Sequence, residues 1–166
     1  MKKAISLMVL LAATALFAVP LFAKTKSIQF RAVLSEDEAK SAAHKKYSYV
    51  SHKGNQPRDL YVSDEALLSN ADIDSMTVIR KENTVQQKFP EIDIVFNAKG
   101  AEKLTRMSEK NIRRSIAIFI DDKVIAAPYI LHPLRSGHLM ISSWQIDTLD
   151  AAKNLIGDLG FKPASK

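Results

Sequence analysis

The sequence predicts an α+β domain in which two main helices pack on one face of an antiparallel sheet. Short segments alternate apolar and polar residues, as half-buried strands do, and two longer segments repeat apolar residues every three or four positions, as amphipathic helices do. Turn-forming residues separate these segments, and their order is strand, helix, hairpin, strand, helix. That order is typical of α+β domains.

The first 23 residues predict a secretory signal peptide. Two lysines precede an uncharged apolar run over residues 4–23, which is the order of regions in such signals. Pro20 lies close to the small residue Ala23, and this favours cleavage after Ala23. We therefore expect residues 24–166 to form one domain. The alternative is an uncleaved anchor, because the run is long enough to span a bilayer.

Composition limits the classes of protein that this chain can belong to. It has 166 residues and no cysteine, so disulfides and a lipid attached to cysteine are excluded. Cleavage would lower the formal net charge from +6 to +4, because two lysines are removed. Export and a mildly basic charge argue against a nucleic-acid partner. Anionic lipids, envelope polymers and acidic protein segments remain as possible partners.

The first half of the mature chain predicts three strands and one short helix. Apolar and polar residues alternate over 27–34, which indicates a half-buried strand. Ser35 and Glu38 match a capping box, so we expect a short helix to follow through Ala43. The remaining predictions are a loop over 45–59, with a short strand inside it as the alternative, a brief strand over 60–62, a turn over 70–73 and a strand over 75–80.

The second half predicts two longer helices and a central strand. Asn97 offers an N-cap for a helix from Ala98 to about Lys110. We expect its core-facing positions to be Ala101, Leu104, Ser108 and Ile112. The other predictions are a hairpin loop over 81–88, strands over 92–96, 116–120 and 124–130, a turn at 121–122, a loop over 132–137, a strand from 139, and a helix that is capped by Asp147 or Thr148 and stops at Gly160.

Five cations follow helical spacing on the first long helix and form what we call the cationic stripe. These residues are Lys99, Lys103, Arg106, Lys110 and, if the helix extends that far, Arg113. Such a stripe could bind an anionic surface or an acidic segment of a protein. The alternative is the ordinary solvated face of an amphipathic helix, supported by i, i+4 ion pairs.

Aromatic residues and sheet edges are the other candidates for binding a partner. Trp144 follows the last strand and is predicted on the face opposite Leu139 and Ile141, and Tyr129 lies on the preceding strand. An exposed aromatic beside a sheet edge could hold a peptide, although most such residues are core or rim residues. An uncovered edge strand could also accept an extended segment.

Catalytic groups are sparse, so we expect no enzyme, no metal and no cofactor. There is no thiol nucleophile, no Gly-x-Ser-x-Gly motif and no glycine-rich phosphate loop. The four histidines lack the i, i+4 spacing that commonly presents two imidazoles to zinc. His132 and His138 flank one loop, and a hydrolase that uses them is the last-ranked alternative.

A distinctive run extends over residues 96–128. It begins Phe-Asn-Ala-Lys-Gly-Ala at 96–101, and between 111 and 128 it contains Asn-Ile, Ala-Ile, Asp-Asp, Val and Ala-Pro in that order. In this run the chain resembles the head subdomain of the first periplasmic region of SecD, the membrane partner of the protein-export channel. The likeness is strongest over 60–160. Arg113, Asp122 and Ser143 stand where that family often has glycine.

The resemblance implies a detached head domain of the cell envelope that has no catalytic activity. The part of SecD that it covers includes neither the base subdomain nor the membrane helices, so coupling of proton flow to export is not implied. We expect the domain to bind a protein or peptide in the periplasm. The alternative is an adaptor that binds anionic membrane or envelope polymer through the cationic stripe. An uncleaved signal would tether the domain to the inner membrane.

Overall fold

A computed structural model describes residues 25–52, 54–79 and 89–165 of the chain. Its strands are β1 (Ile28–Leu34), β2 (His44–Tyr49), β3 (Arg58–Ser69), β4 (Ile73–Ile79), β5 (Glu91–Phe96), β6 (Ile116–Ile120), β7 (Lys123–Ala126), β8 (His138–Ser142) and β9 (Ala164–Ser165). Its helices are α1 (Glu36–Ala39), α2 (Ala98–Lys110) and α3 (Leu149–Asp158), and a 3₁₀ turn spans Asn70–Asp72. The α+β class is therefore confirmed.

The strands form two sheets, whereas we expected one. The five-stranded sheet has the order β2-β3-β1-β6-β7, and the four-stranded sheet has the order β8-β5-β4-β9. Every pair is antiparallel except β4 with β9. The chain passes from the first sheet to the second through the 3₁₀ turn. There the Asn70 side chain accepts a hydrogen bond from the Ile28 amide at 2.7 Å and so holds the turn against β1.

One main core joins both sheets to the two long helices. Its fully buried members include Phe30, Ile94, Leu104, Ile118 and Ile156. A second, smaller core lies on the other face of the five-stranded sheet and consists of Tyr49, Leu60, Val62, Ala117, Phe119 and Val124. Strand β6 contributes to both cores, and every one of its residues is buried. This confirms β6 as a central strand.

The second half follows the sequence prediction closely. Helix α2 begins after Asn97, whose side-chain oxygen accepts a hydrogen bond from the Gly100 amide at 2.9 Å. Helix α3 is capped by Thr148 in the same way. Strand β7 ends at Ala126, earlier than predicted. Beyond it only Tyr129 pairs as an isolated bridge, opposite Ser115, so the predicted strand over 124–130 is too long.

The first half departs more from the prediction. The capping box at Ser35 is confirmed, but α1 has four residues and does not reach Ala43. Part of the predicted loop over 45–59 is strand β2, and β3 has 12 residues where three were expected. Strand β2 is an edge strand with the sequence HKKYSY, and only Tyr47 and Tyr49 alternate with polar residues, which is too short a pattern to predict a strand. The predicted signal over 1–23 and the predicted loop over 81–88 lie outside the described residues.

Candidate interaction surface

The cationic stripe is only partly available for a partner. Lys99, Arg106 and Lys110 are exposed on α2. Arg106 lies 3.7 Å from Glu102 one turn earlier, in a pair exposed on both sides, and such surface pairs contribute little to stability. These three residues therefore form an exposed basic face on the helix.

Lys103 differs from its neighbours on the stripe because it is bound within the fold. Its Nζ donates to Asp72 Oδ1 at 2.7 Å, and the Asp72 side chain is only 6% exposed. The other carboxylate oxygen of Asp72 accepts a hydrogen bond from the Ser69 amide at 3.0 Å. Lys103 thus neutralises a buried carboxylate that closes the 3₁₀ turn. Its role is to stabilise the fold, and its charge is already paired.

Arg113 does not lie on α2. The helix ends at Lys110, where Asn111 folds back and its side-chain nitrogen donates to the Met107 carbonyl oxygen at 2.8 Å. Arg113 has φ +60°, a left-handed conformation that glycine adopts more readily. Its amide donates to the Ile130 carbonyl oxygen at 2.7 Å. The extension of the stripe to Arg113 is therefore wrong, although its side chain is exposed.

Trp144 is half-buried, and its side chain links the segment after β8 to the residue that follows β2. Its indole Nε1–H donates to the carbonyl oxygen of Val50, at the end of β2, at 2.9 Å. The residues beside it contact β7: Ser143 Oγ donates to the Ile125 carbonyl oxygen at 2.7 Å, and Gln145 Nε2 donates to that of Val124 at 3.1 Å. We call residues 143–145 the edge clip, because their side chains donate hydrogen bonds to backbone carbonyl oxygens at both edges of the five-stranded sheet.

Among the described residues, three large exposed apolar side chains lie on two paired segments next to the start of β6. They are Ile112, 41% exposed, Tyr129, 56% exposed, and Leu131, 65% exposed, and we call them the tip patch. The two segments that carry them pair through backbone hydrogen bonds between Ile130 and its neighbours across the strand. The exposed cations Lys110 and Arg113 lie in or beside the same segments. An apolar patch bordered by cations is typical of a protein or membrane contact.

The sequence pattern misplaced one member of the tip patch. Ile112 continues the helical spacing of the core positions and was predicted to face the core. The helix ends two residues before Ile112, so Ile112 lies on the surface. The signal that could have shown this is Asn111, a residue that favours helix ends and turns.

Two clefts border the five-stranded sheet in the part of the chain that the structure describes, and both are small. One has a volume of about 240 Å³ and lies between α3 and β6–β7, with Lys26 paired to Asp158 among its lining residues. The other, of about 270 Å³, lies between β2, β7 and Trp144. Both are smaller than the roughly 300–1,000 Å³ of usual ligand pockets.

The described residues contain no group of three or more histidine, aspartate or glutamate side chains that could hold a metal ion. His138 Nδ1 lies 3.4 Å from the carboxylate of Asp93 on the neighbouring strand, and His132 is exposed in the loop.

No helix among the described residues has both the length and the apolar character needed to cross a membrane. The candidate surface is therefore the tip patch together with the exposed cations of α2.

Residues 44–159 match the family model of the SecDF P1 head subdomain. Protein translocase subunit SecD of Acidaminococcus fermentans is 31% identical over 84 residues, and that of Anaeromyxobacter dehalogenans is 31% identical over 85. The aligned parts are 46% and 49% of this chain, but only 20% and 14% of the two relatives. The chain thus corresponds to a small part of each curated relative.

Solved structures of SecDF share the fold. One, described as a membrane component that enhances protein export, superposes with a TM-score of 0.59 at 20% identity, over 82% of this chain and 63% of that chain. SecDF in a super-membrane-facing form gives 0.58 at 18% identity, over 82% of this chain and 19% of the other. At these identities the likeness concerns the fold alone.

Proposed function

Because this chain belongs to the SecDF P1 head subdomain family, we propose that it binds polypeptide segments in the periplasm, as a part of or an accessory to protein export. The tip patch is the observation that carries this proposal. Exposed Tyr, Leu and Ile side chains beside Arg113 have the composition of an interface centre, where aromatic residues and arginine are enriched. The chain aligns with SecD, which is named a protein translocase subunit.

The position of the tip patch also suits a partner that approaches from the side away from the start of β1. The Val33 amide donates to the Ser115 carbonyl oxygen at 3.1 Å, next to the patch. Lys26 lies at the other end of β1, where it pairs with Asp158 at 2.8 Å. The tip patch and Lys26 therefore lie at opposite ends of β1.

Site-specific crosslinking in live cells tests this proposal. A photoreactive amino acid at Leu131 is expected to give reproducible adducts with other polypeptides, identified by mass spectrometry. The matched control carries the same residue at Asp150, which is exposed on α3. Equal and diffuse labelling at both positions would contradict the proposal. The double change Tyr129→Ser and Leu131→Ser is expected to remove the adducts formed from a probe at Ile112.

A second candidate function is binding of an anionic surface, and it is favoured by the exposure of Lys99, Arg106 and Lys110 on one helix. Cations near an anionic membrane each contribute about 1 kcal/mol of attraction. Replacing the three by glutamine is then expected to abolish salt-sensitive binding to vesicles of phosphatidylglycerol and phosphatidylethanolamine. Lys103 is left unchanged because it holds Asp72. Binding that persists in this variant would eliminate the second candidate.

A further inference from the structure

Within the described residues, four strands lie at the edges of the two sheets: β2, β7, β8 and β9. An edge strand presents backbone N–H and C=O groups that another extended chain can pair with. Natural edges are protected by charged side chains, by covering segments or by shortness. A comparison of the four edges therefore shows where an added strand would fit.

Three of the four edges are protected. Strand β2 carries the exposed lysines Lys45 and Lys46, and the latter pairs with Asp59 at 2.8 Å. On β7, the edge clip occupies the carbonyl oxygens of Val124 and Ile125. Strand β9 has two residues. None of these edges offers an uncharged and unoccupied row of backbone groups.

Strand β8 differs from β2 and β7 because none of its residues is a lysine, arginine, aspartate or glutamate, and from β9 because it has five residues. It pairs with β5 on one side only. The Phe96 amide donates to the Gly137 carbonyl oxygen at 2.9 Å, so these two residues form a hydrogen-bonded pair. Every second pair along β5 and β8 is then bonded in the same way. Because backbone groups of an antiparallel pair alternate in direction, Leu139 and Ile141 bond to β5. The backbone N–H and C=O groups of Met140 and Ser142 point to the open side of β8.

The open side of β8 has free hydrogen-bonding capacity and one exposed apolar side chain. Among the described residues, the N–H and C=O groups of Met140 and Ser142 have no hydrogen-bond partner. The Met140 side chain is 51% exposed. At the start of the strand the His138 amide already donates to Ser136 Oγ at 3.3 Å, so the available row begins at Met140.

We propose that β8 accepts an extended, uncharged polypeptide segment as an added fifth strand of the smaller sheet. Two donors and two acceptors, alternating at a spacing of two residues, match the backbone of an extended chain. The exposed Met140 supplies an adaptable apolar contact. Lipid headgroups do not fit, since β8 has no lysine or arginine. The inference rests on the proposed polypeptide binding and names the mode of recognition and the strand that performs it.

Amide hydrogen exchange tests the assignment on the unmodified protein. The probe is a short acetylated peptide in which valine and threonine alternate, with terminal lysines for solubility. The amides of Met140 and Ser142 are expected to gain protection when this peptide is added. The amides of Leu139 and Ile141 are already bonded to β5 and are expected to change little. A second peptide, methylated at the amides of its bonding edge, is expected to give no protection.

A variant that removes one edge donor gives an independent measurement. Met140→Pro removes the outward N–H, and proline is tolerated where the N–H of an edge strand faces solvent. The matched control Met140→Leu retains the N–H and the apolar side chain. Loss of about one hydrogen bond predicts peptide binding that is roughly threefold to tenfold weaker for Met140→Pro. Met140→Leu is expected to bind as the unmodified protein does.

Several results would overturn the inference. Protection confined to the tip patch, with Met140→Pro binding normally, would leave the proposed function standing and remove strand addition. Protection of Met140 that rises with protein concentration in the absence of peptide would assign the edge to a second copy of the chain. If the unmodified protein binds no peptide at all, both the proposed function and strand addition are contradicted. If Met140→Pro fails to fold, the exchange experiment and the methylated peptide still decide.

Discussion

Lys103 and its neighbours on α2 show how residues of one type and one spacing can have different roles. Lys99, Arg106 and Lys110 are exposed, whereas Lys103 reaches a carboxylate 31 residues away in the sequence. The difference arises because the 3₁₀ turn places Asp72 against this helix. At the scale of the residue, the three exposed cations are free to bind a partner, whereas Lys103 stabilises the fold through its ion pair.

Replacing Lys103 by methionine is expected to lower the free energy of unfolding by about 1–3 kcal/mol. The change leaves the Asp72 carboxylate buried without its counter-charge, and Asp72 is only 4% exposed. Lys99→Met, on the same helix, is expected to change the free energy by less than about 0.5 kcal/mol. Chemical denaturation measures both. Equal effects would show that the ion pair contributes nothing specific.

Glu38 gives the fold a dependence on acid. Hydrogen bonds from the Ser35 amide, the Arg114 guanidinium and the Ser35 hydroxyl hold the pKa of Glu38 below its ordinary value. A lowered folded-state pKa adds stability above the ordinary pKa, and this stability is lost as the pH falls through the lowered one. We expect Glu38→Gln to flatten the acid limb of a plot of unfolding free energy against pH. Arg114→Gln should give an intermediate slope, and an unchanged Glu38→Gln profile would contradict this assignment.

At the scale of the element, the first turn of α2 is joined to the 3₁₀ turn by close backbone contact. The Asn97 amide donates to the Asp72 carbonyl oxygen at 3.0 Å, and the Asn97 side chain donates to that of Ala71 at 2.9 Å. A Cβ atom on Gly100 would lie 2.0 Å from the same Asp72 oxygen. This explains the asparagine and the glycine of the Phe-Asn-Ala-Lys-Gly-Ala run in physical terms, because Asn97 bonds to the 3₁₀ turn and only glycine fits at position 100.

Gly100→Ala is therefore expected to destabilise the protein by about 3 kcal/mol, since backbone atoms must separate. The matched control is Gly157→Ala in α3, where an added Cβ meets nothing within 4 Å. That change should stabilise the protein by about 0.5–1 kcal/mol, because alanine favours the helix. Thermal or chemical unfolding measures both changes. A tolerated Gly100→Ala would show that α2 can move away from the 3₁₀ turn.

The edge clip is a second element whose role concerns stability, and it changes the interpretation of Trp144. Trp144→Phe removes the donor to Val50 while keeping an aromatic ring, and should lower the free energy of unfolding by about 0.5–1.5 kcal/mol. Crosslinking from Leu131 should be unaffected. Loss of those adducts in a variant that unfolds like the parent would return Trp144 to the binding surface.

At the scale of the whole molecule, the start of β1 and the tip patch lie at opposite ends of the β1–β6 pair. Ile28 pairs with Ile120 at one end, and Ala32 pairs with Ile116 near the patch. If the predicted signal is retained as an anchor, it joins the described residues at Thr25, near the end of β1 that lies opposite the tip patch. A cleaved domain would present the same surface without that constraint.

N-terminal sequencing of the protein isolated from the periplasmic and membrane fractions decides between these two forms. The sequence predicts cleavage after Ala23, so the mature chain should begin at Lys24. Leu11→Lys interrupts the apolar run and should retain an uncleaved chain in the cytoplasm. Recovery of the full-length protein in the membrane fraction would contradict cleavage and indicate the anchored form.

The sequence by itself determined the α+β class, the bounds of α2 and β6, the start of α3 and the resemblance to the SecD head. These features depend on patterns within a few residues: the apolar period, the capping residues and a compact motif. Only the tertiary structure decided that the strands form two sheets, that Lys103 is committed to Asp72, that Ile112 is exposed and that β8 is the unprotected edge. Those outcomes depend on contacts between residues far apart, such as the 94 positions that separate Trp144 from Val50. Local periodicity contains no information about which distant segment will supply the partner.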